Sequence, residues 1–279
     1  MDGKPYIFAE TEDFAVVYKP PCMHCAPLSR GKITSNDGGT LLDWYADIFP
    51  SVTGLSGRKE GEGGLLHRLD FETQGLVLFA KNQQSLDNLI NQQNDGNFIK
   101  EYNVVSAIKT ADTTPIGDIK TSPISITCEI ICPPSVAASS FPPPPFDAVK
   151  NGFPQTPFAV ESYFRPFGPG RKQVRPVTET DSKKRITSAA KDRGGFYRTE
   201  IINAESREGF YFLTARLKRG FRHQIRCHLA WVGCPVLNDP LYDNGNTDSF
   251  LALRAGRLSF ADPKSGKPVT VALPSEAFI

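Results

Sequence analysis

Residues 76–80, Leu-Val-Leu-Phe-Ala, carry an apolar side chain at every position. Successive side chains of a strand point to opposite faces. A strand that is apolar on both faces is stable only when both are covered, so this run predicts a central strand inside a layered fold. Gly75 lets the backbone turn sharply into it. Just upstream, Leu65-Leu66-His67-Arg68-Leu69-Asp70 sets one carboxylate, Asp70, beside His67 and Arg68 at the mouth of the strand. The pattern reads as a rigid platform with an acid displayed at its entrance.

Other periodicities fill in the framework. Phe14–Lys19 reads as a short buried strand closed by Pro20-Pro21, and 40–49 as a short helix with Leu41, Leu42, Tyr45 and Ile48 on one side. Residues 56–64, rich in glycine and charge, form a loop that leads into the Asp70 run. Gln83–Asn94 has Leu86, Leu89 and Ile90 at helical spacing and stops at Asp95-Gly96. Strands are predicted at 102–108, at Phe210–Leu217, and as two short pieces at 251–253 and 258–260. A helix is predicted over 222–232, burying Ile225, Leu229 and Val232 and placing Arg222 and Arg226 on one face as an i, i+4 pair. Between residues 133 and 176 lie 11 of the 23 prolines. That density predicts an irregular insertion, partly polyproline in character, over about 133–195. It suits either a plain surface loop or a flap that touches a ligand.

The chain of 279 residues suffices for one large domain or two modest ones. Its polar start, Met-Asp-Gly-Lys-Pro, lacks the apolar stretch of a signal peptide, and no apolar run approaches the length that spans a bilayer. A cytoplasmic protein with reduced thiols is expected. Cys22-Met-His-Cys25 has the spacing of half a zinc site, which Cys128 and Cys132 would have to complete. That second spacing is loose, and ordinary thiols are the simpler reading. His223 and His228, five apart, cannot clasp one metal from a helix face. The net charge of +2 conceals an asymmetry, because residues 165–226 hold 16 Lys and Arg against 6 Asp and Glu. A zone of that sign suits a polyanion.

The His67-Arg68-Leu69-Asp70 run resembles the signature of the RluA-type family of RNA pseudouridine synthases. Residues 220–242, with His223-Gln224-Ile225-Arg226-Cys227-His228 and Asp239-Pro240-Leu241-Tyr242, are similar to the family's second block. Lys100-Glu101-Tyr102 is similar to its Lys-x-Tyr element, and residues 13–20 to its opening strand. The chain departs from the usual pattern at Gln74, where the family has Ser, and at Phe221-Arg222, where it has Arg-Thr. The resemblance implies an α+β pseudouridine synthase fold, a mixed, mainly antiparallel bent sheet flanked by helices. It further implies a single catalytic domain over 1–279, without a separate N-terminal RNA-binding domain.

By the same resemblance Asp70 is the catalytic residue, Arg226 its basic partner and Tyr102 the ring that stacks on the base. Arg68 is a candidate to fill the space of the flipped base or to hold a phosphate. Arg222, Lys183, Lys184 and Arg185 are expected on the RNA backbone, and His67 either beside them or satisfying local hydrogen bonds. Turning uridine into pseudouridine requires one ionised carboxylate, held charged by a nearby arginine, and no redox agent or metal. No cofactor, nucleotide or membrane is therefore expected, only an RNA substrate, ribosomal or transfer, acted on by a monomer. The alternative is an idle RNA-binding or RNA-folding protein on the same scaffold. A glycoside hydrolase would want two carboxylates flanking the bond, and only Asp70 is so displayed.

Overall fold

The computed structural model describes residues 3–27, 39–107, 141–191, 195–243 and 249–274. The expected end of the strand at Ile108 and the thiols of Cys128 and Cys132 lie outside them. The chain divides into two compact units, one of residues 1–104, 214–222 and 250–279, the other of residues 105–213 and 223–249.

In the first unit β1 (Tyr6–Glu10), β2 (Phe14–Lys19) and β3 (Gln74–Ala80) pair antiparallel in that order. β4 (Ile99–Ala107) crosses the boundary between the units at residue 104. β3 also runs parallel to β9 (Leu253–Ala261), which pairs antiparallel with β4 and with β10 (Pro268–Ala272). β3 thus lies between β2 and β9, and its residues from Gly75 to Ala80 are all buried, as the unbroken apolar run requires. Gly75 has φ +125°, and a Cβ there would collide with the backbone of Ala255. No other residue permits the parallel contact.

α1 (Leu41–Ile48) begins with a capping box in which Thr40 Oγ1 accepts from the Asp43 N–H at 3.2 Å and Asp43 Oδ2 accepts from the Thr40 N–H at 2.9 Å. α2 (Gln83–Asn94) is capped by Asn82, whose Oδ1 accepts from the Ser85 N–H at 2.8 Å. Leu86 and Leu89 of α2 pack with Phe14, Val16, Leu76, Leu78, Phe98 and Phe260 into the core of this unit. Burying side chains of this size contributes roughly 1.5–3 kcal/mol each.

The second unit holds α3 (Ala148–Asn151), β5 (Phe158–Phe167), β6 (Gln173–Val177), α4 (Lys183–Lys191), β7 (Tyr197–Arg207) and α5 (Gln224–Trp231). β8 (Phe210–Leu217) crosses the boundary between the units, as β4 does. β5 pairs antiparallel with β7 through Phe158 to Ser162 and with β6 through Tyr163 to Phe167.

The stretch over 133–195 is not irregular throughout, since β5, β6 and α4 fall inside it. Pro166 and Pro176 are compatible with strands because, among the described residues, β6 ends its sheet and the second half of β5 pairs on one side, so neither proline withholds a ladder donor from an interior strand. Phe146, Phe153 and Phe158 pack with Val160 and Trp231, and the Trp231 indole donates to the Pro142 carbonyl at 2.8 Å. The helix predicted over 222–232 is shorter, running from Gln224 to Trp231. It begins at Gln224, because His223 stands at φ +56°. Arg222 therefore lies outside the helix and is exposed, while Arg226 is buried inside it, and the two share no face.

Candidate active site

Asp70 lies on the loop that enters β3 and is partly exposed. The segment behind that loop holds it from several directions. Lys19, the last residue of β2, is fully buried, and its ammonium donates to the carbonyls of Pro20 and Met23 at 2.8 Å each and of Phe71 at 3.2 Å. The Met23 N–H donates to the same Phe71 carbonyl at 3.2 Å. Cys25 Sγ accepts from the Leu69 N–H at 3.2 Å, and its thiol faces the Leu69 carbonyl at 3.5 Å. The Thr73 N–H donates to the Asp70 carbonyl at 3.2 Å and closes the turn. The acid thus sits on a main chain fixed before and after it.

Burial lowers the Lys19 ammonium to about 8, and the nearby Cys25 and Asp70 oppose that shift. Lys19 therefore carries its charge at neutral pH behind the Asp70 loop. Tyr102, on β4, is 7% exposed, and its hydroxyl is raised by burial first and then by the negative charge of Asp70. The β4–β9 register slips between Glu101 and Tyr102, with Glu101 opposite Arg257 and Tyr102 opposite Ala255. Such a bulge re-aims a side chain. Glu101 accepts from Arg216 at 2.8 and 3.0 Å, and Lys100 is buried with its ammonium 5.0 Å from the Phe98 ring centroid.

The other signature residues take varied places. His67 packs its ring on Phe98, and its Nε2 accepts from the Leu78 N–H at 3.3 Å. The proton is therefore on Nδ1, which is buried without a hydrogen-bond partner among the described residues. Burial, assisted by the Lys100 charge, lowers this imidazole to about 3. Arg68 is half exposed and pairs with Glu62 at 3.2 Å. Gln74, where the chain departs from the family pattern, accepts the Tyr18 hydroxyl hydrogen bond at 2.6 Å.

In the second unit Arg226 and Asp239 form a two-pronged pair, Nε to Oδ2 and Nη2 to Oδ1 at 2.7 Å each, with both side chains at 0% exposure. Asp239 Oδ1 also accepts from the N–H groups of Leu241 and Tyr242 at 2.9 and 3.2 Å. The Tyr242 hydroxyl donates to the Val174 carbonyl at 3.1 Å and accepts from its N–H at 2.7 Å. His228 is fully buried between Ser162 Oγ at 3.0 Å and Thr199 Oγ1 at 2.8 Å, and burial lowers it to about 3. Lys183, Lys184 and Arg185 are exposed on α4, with Arg185 3.3 Å from Asp181.

Sequence reasoning missed Lys19, Cys25 and Asp239 as parts of these two arrangements. A lysine ending an otherwise apolar strand was the available signal for the first. For Cys25 there was only proximity in sequence to the opening strand. Asp239 stood inside the second block without a role.

The profile of the family described as RNA pseudouridylate synthase matches residues 13–231. The chain belongs to that family, and its class is an isomerase, RNA pseudouridine synthase. It is 27% identical over 274 residues to the uncharacterized RNA pseudouridine synthase YlyB of Bacillus subtilis, covering 96% of this chain and 68% of that protein. It is 24% identical over 256 residues to ribosomal large subunit pseudouridine synthase D of Yersinia pestis, covering 90% and 58%. The chain thus spans roughly two thirds or less of the length of these relatives. Human RNA pseudouridylate synthase domain containing 1 shares the fold at a TM-score of 0.58 and 17% identity, covering 98% of this chain and 84% of that one. The α+β fold with its mixed, mainly antiparallel sheet is therefore that of pseudouridylate synthase domains. Among the described residues no helix is long and apolar enough to cross a membrane.

Proposed function

We propose that this chain isomerises uridine to pseudouridine in structured RNA, with Asp70 as the reacting carboxylate. The observation that carries the reading is a partly exposed acid on a pinned loop at the head of a buried strand, with its charge felt by the Tyr102 hydroxyl. The reaction breaks the bond from the sugar C1′ to N1 and forms one from C1′ to C5. The C5 proton leaves to solvent, N1 ends protonated, and no electrons are gained or lost. A fixed carboxylate serves this as nucleophile or as base, and the chemistry asks for no cofactor or metal. The base must first leave its stack, and the gap must be filled.

Tyr102 supplies a wall for the uracil, and Arg68, on exchanging Glu62 for RNA, occupies the gap or a phosphate. Arg226 is kept in the reaction on the sequence resemblance alone; what its own unit supports is a guanidinium held rigid by Asp239. His67 braces β3 and is not an RNA contact in this reading, because its Nε2 is bonded to the main chain. Arg222, Lys183, Lys184 and Arg185 are exposed and suit phosphates. The two units together make the single catalytic domain, which the profile match supports by running through both. Ribosomal RNA is the favoured substrate, in line with the names of several relatives. The enzyme works as a monomer in the cytoplasm.

Pseudouridine mapping by carbodiimide-stop sequencing tests this reading in cells that carry the wild-type chain, the Asp70→Asn variant or neither. At least one ribosomal stop should depend on the wild-type chain and vanish in the other two. Stops identical in all three would leave the RNA-binding alternative.

A further inference from the structure

Phe71 follows Asp70 in the chain and is 40% exposed. Its main chain is nevertheless fixed, because its carbonyl accepts from both the Lys19 ammonium and the Met23 N–H at 3.2 Å. Any residue offers that carbonyl, so the loop does not need an aromatic side chain here. The ring lies against that of His24, with centroids 4.7 Å apart and planes at 41°. His24 is itself anchored, its carbonyl accepting from the Leu41 N–H at 2.9 Å where α1 begins. Single exposed apolar side chains are ordinary on protein surfaces. This one, backed by a second ring, differs in its place on a pinned turn one residue from Asp70.

We infer that Phe71, supported by His24, is a stacking platform for the nucleobase next to the target uridine. The inference rests on the reading of Asp70 as the reacting carboxylate. Flipping one base exposes the faces of its neighbours. An aromatic ring covers such a face for any base, since every base has one, and phenylalanine has no polar atom with which to read an edge. Phe71 accordingly acts on RNA affinity and KM and leaves kcat alone. Because His24 already restricts the ring, little side-chain freedom is lost on stacking.

The test uses the heptamer r(AAAUAAA) and two versions with an abasic residue on either side of the uridine, binding read by fluorescence anisotropy. Tritium release from ribosomal transcripts labelled with 5-tritiated uridine is measured in parallel. For wild type, one of the abasic substitutions should weaken binding by about 5- to 150-fold, the range equivalent to the 1–3 kcal/mol of a base–aromatic stack. Phe71→Ala should show a loss of that size on the intact heptamer and little further loss on the abasic one, and Phe71→Leu, without a flat ring, should behave like it. Both variants should keep the wild-type kcat on saturating transcript. Wild type indifferent to both abasic positions overturns the inference, and so does an abasic penalty as large in the variants as in wild type. Absence of tritium release by wild type from every transcript would instead sink the synthase reading, while the heptamer comparison still decides Phe71.

Discussion

The two signature blocks are built in opposite ways. In the first unit the acid is displayed, with Asp70 partly exposed while a buried ammonium, a thiol and backbone groups hold the loop from behind. In the second unit the charges are enclosed, with Arg226 and Asp239 paired at 0% exposure and the spare carboxylate capacity taken by two backbone N–H groups. A short motif does not say whether its residues face a ligand or each other. Burial separates the two cases.

The contrast is broken most forcefully by removing one enclosed charge. Leaving one partner of a buried pair alone costs about 3–5 kcal/mol, so Asp239→Ala should unfold at a markedly lower urea concentration than wild type. Asp239→Leu combined with Arg226→Leu should recover part of that loss, because replacing both charges with apolar groups removes the uncompensated ion. A double variant no more stable than the worse single one would show that the pair is not the main tie in this block.

A smaller effect concerns acid. His228 has a folded value of about 3 against an ordinary 6.5, so above pH 6.5 it is neutral in both states and its contribution is complete. As pH falls below 6.5 the unfolded chain takes up the proton and the folded chain does not. Stability then falls by about 1.4 kcal/mol per pH unit until the folded value is reached. Relative to His228→Gln, wild type should lose ground between pH 6 and pH 4 and show no pH-dependent difference at pH 8. A difference that stays constant across this range would place the imidazole in contact with solvent.

The smallest effect is expected on α4. Replacing Lys183, Lys184 and Arg185 by Gln should weaken binding to all RNAs alike and flatten the salt dependence by about 0.7 to 0.9 for each phosphate no longer neutralised. An unchanged slope would make this a solvated face and move the backbone path to Lys218, Arg219 and Arg222.

The same division explains what the sequence could tell. β2, α2 and β8 were legible to the residue, because an apolar run in β2, helical spacing in α2 and an aromatic-rich stretch in β8 each end at clear stops. β5 and β6 were hidden by proline, whose cost depends on whether a strand has neighbours on both sides, a fact of topology. β7 buries Tyr197, Thr199 and Ile201 on one face only in its first half, and charged residues fill much of the rest. The shared face of Arg222 and Arg226 failed on a single left-handed residue, His223, which no periodicity announces. In the site, Asp70 was visible through the family signature. Lys19 and Cys25 were not, because what ties them to the Asp70 loop are the main-chain atoms of Phe71, 52 residues from Lys19, and of Leu69, 44 residues from Cys25.

In the function proposed above, Asp70 serves the chemistry more than the fold. Asp70→Asn should be measured for tritium release from 5-tritiated uridine in ribosomal transcripts and, on the same preparation, for thermal unfolding. We expect no detectable release, retained RNA binding and a midpoint within about 2 °C of wild type, the shift that accompanies a fraction of a kcal/mol. Release near the wild-type rate, or a midpoint lowered as far as in Asp239→Ala, would contradict it.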